Sequence, residues 1–207
     1  MKPFKYLSPT TVEEAISYYG QHSETAKFVA GGTDVIVKVK EGWMEPDYLI
    51  SLKKIEEMAE LHKNEATGDL SIGALVTHAT LEKSLMIQNE YPIIYDAVSN
   101  IGSLQVRNVG TIGGNLINAV PSADGAIPLI ALDGVALLHG PSGERSAQVK
   151  DLFIEPYKTI LKPGGNLKKN HDSASVTQYW KRIYQIRTPR CHGTSFDRHW
   201  RSLNPGR

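Results

Sequence analysis

The spacing of apolar residues along positions 1–164 alternates between the period of a helix and that of a strand. Apolar positions from Val12 to Tyr19 share one helical face, and the Thr and Glu residues around position 12 are typical of a capped helix start. The apolar runs AKFVA (26–30) and DYLISL (47–52) predict buried strands. The stretch 135–149 predicts a hairpin that turns at 141–143. The pattern therefore indicates a mixed α and β protein.

One segment, VIVKVK (35–40), is ambiguous from its pattern alone. Its apolar and basic residues alternate as in a strand, but it follows two glycines and an Asp, which favour the start of a helix. Both interpretations stay open at the level of local pattern.

Length and composition exclude some classes of protein. The 207 residues, 41% of them hydrophobic, suffice for one large domain or two small lobes. Cys191 is the single cysteine, which excludes an internal disulfide and a metal site made only of cysteines. No basic and apolar leader opens the chain, and no apolar run reaches the length of a membrane span. We therefore expect a cytoplasmic protein without a membrane partner.

Charge divides the chain into two parts. Residues 1–164 carry 14 Lys and Arg against 20 Asp and Glu, whereas residues 165–207 carry nine against two. The second part shows no clear apolar period, so the two parts need separate explanations.

Two glycine-rich segments interrupt apolar runs. We call residues 29–35 (VAGGTDV) the first glycine segment and residues 111–115 (TIGGN) the second. Glycine lets backbone N–H groups approach a ligand closely, and a diphosphate needs several such donors. Each segment alone is more often a tight turn, and neither matches the Rossmann or P-loop spacing. Together they suggest a pyrophosphate held from two sides.

The order and surroundings of the two segments are more specific than either alone. FVAGGTD followed by IGSLQVRNVGTIGGNLINAVPSADGAIPLIAL resembles the FAD-binding medium subunits of molybdenum hydroxylases, as found in carbon monoxide, xanthine and nicotinate dehydrogenases. The resemblance extends from the N-terminal MKPFKYLSPTTVEEAI to about Gly164.

The resemblance implies an α+β fold of the two-lobed, PCMH-type FAD-binding kind shared with the vanillyl-alcohol oxidase superfamily. Residues 1–55 would form a small lobe with a parallel sheet, and residues 56–164 a larger antiparallel lobe that is incomplete at its C-terminal end. By the same resemblance, residues 35–40 would be helical, against their alternation.

The resemblance also implies which residues bind FAD. In the two glycine segments these are Val29, Ala30, Gly31, Gly32, Thr33, Asp34, Val35, Thr111, Ile112, Gly113, Gly114 and Asn115. Asp124 would bond a sugar or ribityl hydroxyl with Ser122 beside it, Ile101 would form an apolar wall, and Leu161 would lie at a backbone contact. No catalytic residue or metal ligand is implied.

The function implied is electron transfer rather than substrate chemistry. A large subunit with the molybdenum cofactor and a small subunit with [2Fe–2S] clusters would be the partners, and FAD would pass electrons to NAD or another acceptor. No nucleic-acid partner is implied.

Two further residues have competing interpretations. Arg107 could meet a phosphate, but a surface or loop-bracing ion pair is the favoured role. His78 could relay protons, but a helix cap or a core hydrogen bond is favoured.

The basic part, residues 165–207, departs from the family. Codons that encode it, shifted by one base, permit a family-like continuation without a forced stop. We therefore expect an out-of-frame, disordered tail that begins near Gly164–Gly165 and leaves the chain truncated. The alternatives are a non-functional remnant, or a nucleotide-binding interaction module whose basic C-terminal arm is real.

Overall fold

The computed structural model describes residues 1–22, 24–140 and 143–161, and the backbone of Tyr179–Ile186. Among these residues, no helix combines the length and the apolar composition that a membrane span requires.

The N-terminal part is a three-stranded parallel sheet with two helices. Its strands are β1 (Lys5–Leu7), β2 (Ala26–Val29) and β3 (Tyr48–Ser51), in the order β1-β3-β2. Helix α1 (Val12–His22) connects β1 to β2, and α2 (Val35–Lys40) connects β2 to β3. The central strand β3 is almost fully buried, as a parallel strand covered on both faces must be.

Helix α1 begins as its sequence predicts. The Glu14 N–H donates to Thr11 Oγ1 at 3.1 Å, and Glu14 Oε2 accepts from the Thr10 N–H at 2.8 Å. These bonds satisfy N–H groups that have no partner inside the helix. The buried face consists of Val12, Ala15 and Tyr19. Residues 35–40 are helical, so the interpretation from the family resemblance is confirmed over their alternation.

Helices dominate the middle of the chain. They are α3 (His78–Lys83), α4 (Leu85–Glu90), α5 (Pro92–Ser99), α6 (Leu104–Val109), α7 (Ile112–Asn118) and α8 (Ala126–Ala131). Short 3₁₀ helices lie at Glu56–Ala59 and Val149–Leu152. Buried side chains from these helices, α6 excepted, and from both larger sheets form one hydrophobic cluster.

A five-stranded antiparallel sheet forms the second layer. Its strands are β4 (Leu61–Lys63), β5 (Leu70–Gly73), β6 (Val135–Gly140), β7 (Gly143–Gln148) and β10 (Tyr179–Ile186), in the order β4-β5-β10-β6-β7. Strands β6 and β7 form the predicted hairpin. A separate pair consists of β8 (Phe153–Glu155) and β9 (Lys158–Thr159).

Strand β10 differs from the disordered tail that the sequence predicts. It lies between β5 and β6, and Ile183 is in register with Ile72 on one side and Ala136 on the other. Without β10, these two strands would leave rows of backbone groups unpaired. The β-branched and aromatic residues of 179–186 suit a strand, which explains why this basic stretch can pair there. The rest of the predicted tail lies outside the described residues.

Gly73 ends β5 where the sheet meets the Glu56–Ala59 helix. Its N–H donates to Glu60 O at 2.8 Å, and a Cβ at this position would lie 2.2 Å from Met58 O. The close packing of these two backbones therefore requires glycine.

We expect Gly73→Ala to lower the free energy of unfolding by about 2–3 kcal/mol, because backbone must move to admit the methyl group. The measurement is urea unfolding of the full chain. Gly20→Ala is the matched control: Gly20 lies in α1 with open space around it, so the same substitution should stabilise by about 0.5–1 kcal/mol. Equal effects at the two positions would contradict this packing.

Candidate functional site

The first glycine segment packs against the backbone that directly precedes the second segment. A Cβ on Gly31 would lie 2.1 Å from Val109 O and 2.9 Å from the Gly110 Cα. Gly31 follows β2, whereas Gly110 separates α6 from α7, so the contact joins the parallel sheet to the helical layer. Only a residue without a side chain permits this approach.

The first glycine segment presents backbone donors. Within the described residues, no acceptor lies in hydrogen-bond contact with the N–H groups of Gly31, Gly32 or Thr33. Gly32 has φ +90°, a conformation that favours glycine and lets the chain turn from β2 into α2. Consecutive N–H groups without a protein acceptor are the donors that an anion requires.

The second glycine segment differs from the expected cradle of free donors. Four consecutive N–H groups are bonded within the protein: Ile112 to Val76 O, Gly113 to Ala74 O, Gly114 to Thr111 Oγ1 and Asn115 to Thr111 O, at 3.0–3.1 Å. These bonds anchor the segment. The groups that this segment can offer to a ligand are therefore its side chains and the glycine Cα atoms that line the cavity described below.

Asn115 is the polar side chain of the second segment best placed for a ligand. Its Oδ1 is buried and has no partner within the described residues. A Cβ on Gly125 would lie 2.6 Å from this oxygen, so the glycine leaves the amide its space. A buried amide oxygen without a partner is costly, and a bound hydroxyl or N–H would satisfy it.

Both glycine segments line one cavity of about 390 Å³, a size typical of ligand pockets. Apolar side chains line most of it, including Phe28, Met58 and Ile117. Eleven of the predicted site residues lie in its wall: Ala30, Gly31, Gly32, Thr33, Asp34, Val35, Ile101, Thr111, Gly113, Gly114 and Asn115.

The remaining predicted site residues lie elsewhere. Val29, Ile112 and Leu161 are buried in the core, and the exposed Ser122 and Asp124 follow α7 outside the cavity wall. Their roles toward a ligand stay predictions.

Sequence reasoning missed several polar or aromatic residues of the wall, among them Lys38, Asn118 and Tyr157. The first two could have been found from helical spacing, because Lys38 lies one turn after Asp34 and Asn118 one turn after Gly114. Tyr157 belongs to the turn between β8 and β9, and no local pattern connects it to the glycine segments.

Arg107 has the favoured bracing role. Its Nε donates to Glu82 Oε2 at 2.9 Å, and its Nη1 donates to the carbonyls of Ile101 and Gly102 at 3.3 and 3.4 Å. One guanidinium thus fixes the loop that places Ile101 in the cavity wall.

His78 packs behind the contact between the segments. It is 2% exposed, and its N–H donates to Gly110 O at 3.0 Å. The helix cap expected at His78 belongs to Thr77, whose Oγ1 accepts from the Thr80 N–H. Burial, with a smaller effect of the Arg107 charge, lowers the pKa of His78 from 6.5 to about 4. The imidazole is therefore neutral at pH 7.

The depressed pKa of His78 predicts a pH-dependent stability. Between pH 6.5 and about 4 the unfolded chain binds a proton that the folded chain does not, so stability falls as the pH falls through this range. We expect a loss of up to about 3 kcal/mol from this group. Urea unfolding across this range should show a shallower dependence for His78→Asn than for the wild type.

The exposed His62 provides the control for this prediction. His62→Asn should leave the pH dependence of the free energy of unfolding as in the wild type. If His78→Asn shows the same pH dependence as the wild type, the pH-dependent stability does not come from His78.

Within the described residues, no group of three or more His, Cys, Asp or Glu side chains is placed to hold a metal ion. The polar groups that line the cavity suit an organic ligand with an anionic part.

Comparison with known protein families gives a match over most of the chain. Residues 2–169 match the family described as the FAD binding domain in molybdopterin dehydrogenase.

Curated relatives agree with this match. The chain is 35% identical over 154 residues to the nicotinate dehydrogenase FAD-subunit of Eubacterium barkeri, a span that covers 74% of this chain and 51% of that protein. It is 32% identical over 158 residues to the carbon monoxide dehydrogenase medium chain of Hydrogenophaga pseudoflava, covering 76% and 54%. The chain spans about half the length of the curated relatives it matches.

Solved structures confirm the predicted α+β fold. A carbon monoxide dehydrogenase from Hydrogenophaga pseudoflava, which lacks the Mo-pyranopterin moiety of its cofactor, superposes with a TM-score of 0.78 at 28% identity, covering 89% of this chain and 59% of that one. The parallel and antiparallel sheets on either side of the glycine segments belong to this shared fold. The chain therefore belongs to the family of FAD-binding domains of molybdopterin dehydrogenases, and its cofactor is FAD.

Proposed function

We propose that the chain is an electron-transfer subunit that passes electrons from the [2Fe–2S] clusters of a partner subunit through FAD to NAD or another acceptor. The complex would also contain a large subunit with the molybdenum cofactor. The observation that carries the proposal is that both glycine segments line one cavity, where Gly31 packs against the Val109–Gly110 backbone directly before the second segment.

The residues present fit FAD. The N–H groups of Gly31, Gly32 and Thr33 can donate to diphosphate oxygens, and the buried Asn115 Oδ1 can accept from a ligand group. The apolar wall that includes Phe28 and Ile101 suits the flat faces of the two ring systems. This distribution matches a ligand that is anionic at its centre and aromatic at its ends.

Bound FAD supplies a centre that exchanges one or two electrons. The protein binds it, orients it and limits its contact with water. The neutral His78 adds no positive charge behind the glycine segments, and Arg107 holds the loop of Ile101. None of these residues is needed as a general base, which agrees with an electron-transfer role.

Partners and location follow from the same proposal. The relatives are a medium chain and an FAD-subunit by name, which supports the proposal that this chain also works with further subunits. We propose that the complex is cytoplasmic and binds no nucleic acid. A nucleotide-binding module with a free basic arm is less well supported, because Tyr179–Ile186 lies inside a sheet.

We expect Gly31→Ala to raise the Kd for FAD more than about tenfold. The added methyl group would collide with Val109 O and separate the two glycine segments. Quenching of flavin fluorescence on titration of the full chain measures the Kd. Gly20 is not part of the cavity wall, and a Cβ there has open space around it, so Gly20→Ala should leave the Kd unchanged. An unaltered Kd for Gly31→Ala would contradict the site.

Electron transfer is tested with the FAD-loaded full chain under anaerobic conditions. A reduced [2Fe–2S] ferredoxin serves as the donor probe, and flavin absorbance reports reduction. We expect faster reduction of the protein-bound flavin than of free FAD, followed by reoxidation on addition of NAD⁺ or a quinone. Tight FAD binding without faster reduction would leave the chain a flavin-binding protein and overturn the electron-transfer proposal.

A further inference from the structure

A chain of polar contacts connects the first glycine segment to the end of α7, the helix in which most of the second segment lies. Asn118 Nδ2 donates to Asp34 Oδ1 at 2.6 Å, and Lys38 Nζ donates to Asn118 Oδ1 at 3.2 Å. An ammonium group only donates and a carboxylate only accepts, so these two partners fix the orientation of the amide. We call Asp34, Lys38 and Asn118 the polar latch.

The polar latch spans residues far apart in sequence. Asp34 ends the run of backbone donors and precedes α2, which carries Lys38. Asn118 is the last residue of α7, whose first turn contains the second glycine segment. All three side chains line the cavity. The latch and the Gly31–Val109 contact therefore fix the separation of the two segments at two points.

Neighbouring groups hold both ends of the polar latch. Thr33 Oγ1 donates to Asp34 Oδ2 at 3.2 Å, which occupies the second carboxylate oxygen. Lys38 Nζ lies 5.8 Å from the ring centroid of Tyr157, within the range of a cation–π contact. The Tyr157 N–H donates to Ala119 O at 2.8 Å, beside Asn118. The end of α7 is thus tied to the same group of residues.

The charge of Asp34 explains why the latch matters for an anionic ligand. The carboxylate lies directly after the N–H groups of Gly31, Gly32 and Thr33. Left without partners, it would repel a diphosphate and compete for those donors. The Asn118 amide donates to the Asp34 carboxylate, which keeps that carboxylate from accepting from the backbone donors. The Lys38 ammonium, bonded to the same amide, places a positive charge nearby.

We propose that Asp34, Asn118 and Lys38 are positioning residues that set the separation of the two glycine segments and thereby the affinity for the FAD diphosphate. This inference rests on FAD binding at the proposed site.

The test exchanges the two ends of one hydrogen bond. Asn118→Asp places two carboxylates against each other, and we expect the Kd for FAD to rise at least about tenfold. In the double variant Asp34→Asn/Asn118→Asp, the introduced amide donates to the introduced carboxylate, which still accepts from Lys38. The double variant has the net charge of the wild type, and its Kd should return to within about threefold of the wild-type value.

Asn64→Asp is the control for added charge. Asn64 is exposed in the turn between β4 and β5, and its Oδ1 accepts from the N–H groups of Ala66 and Thr67, which a carboxylate can also do. This variant should bind FAD as the wild type does. Titration of each full-chain variant with FAD gives its Kd. Urea unfolding of each ligand-free variant gives the urea concentration at the midpoint of unfolding.

Recovery of FAD affinity in the double variant supports the polar latch. If Asp34 and Asn118 acted independently, exchanging the carboxylate and the amide would not restore the affinity. An unchanged Kd for Asn118→Asp, or a double variant no better than Asn118→Asp, overturns the polar latch. If the wild type binds no FAD, the proposed function fails, and the urea midpoints of the ligand-free variants then test the polar latch. A midpoint that falls in Asn118→Asp and recovers in the double variant supports the hydrogen bond between residues 34 and 118. Unchanged midpoints overturn it.

Discussion

The approach of Gly31 to the Val109–Gly110 backbone is the constraint on which the site depends. With a side chain at Gly31, the parallel sheet and the helical layer would have to separate, since a Cβ there would lie 2.1 Å from Val109 O. The contact places a turn with free N–H groups beside a helix that carries Asn115. Layer packing and the proposed ligand site therefore depend on the same backbone geometry.

The two glycine segments differ in how their backbone N–H groups are used. The second segment uses four consecutive N–H groups to fix itself to residues 74–76 and to Thr111, so it is rigid before any ligand arrives. The first segment keeps its donors available at Gly31, Gly32 and Thr33. A rigid wall facing a set of open donors requires little rearrangement on binding, which favours affinity.

Sequence alone predicted those features that local chemistry determines. The start of α1 follows from Thr11 and Glu14. The ion pair of Arg107 with Glu82 confirms the prediction that this arginine braces a loop. Residues 35–40 needed the family resemblance, because their alternation favours a strand. The bonds of the Ile112 and Gly113 N–H groups to residues 74–76 and the Asp34–Asn118 bond depend on partners far away in sequence, which no local pattern contains. Strand β10 escaped prediction because its place is determined by the unpaired edges of β5 and β6.

The central claim is that the two glycine segments recognise the diphosphate of a dinucleotide. Calorimetric titration of the full chain with FAD and with FMN tests it most directly, because the two ligands share the isoalloxazine ring and FMN has a single phosphate. The account predicts that FAD binds at least about tenfold more tightly, a difference of about 1.4 kcal/mol. Equal affinity for FMN would contradict the account, since the second phosphate of FAD would then contribute nothing to recognition.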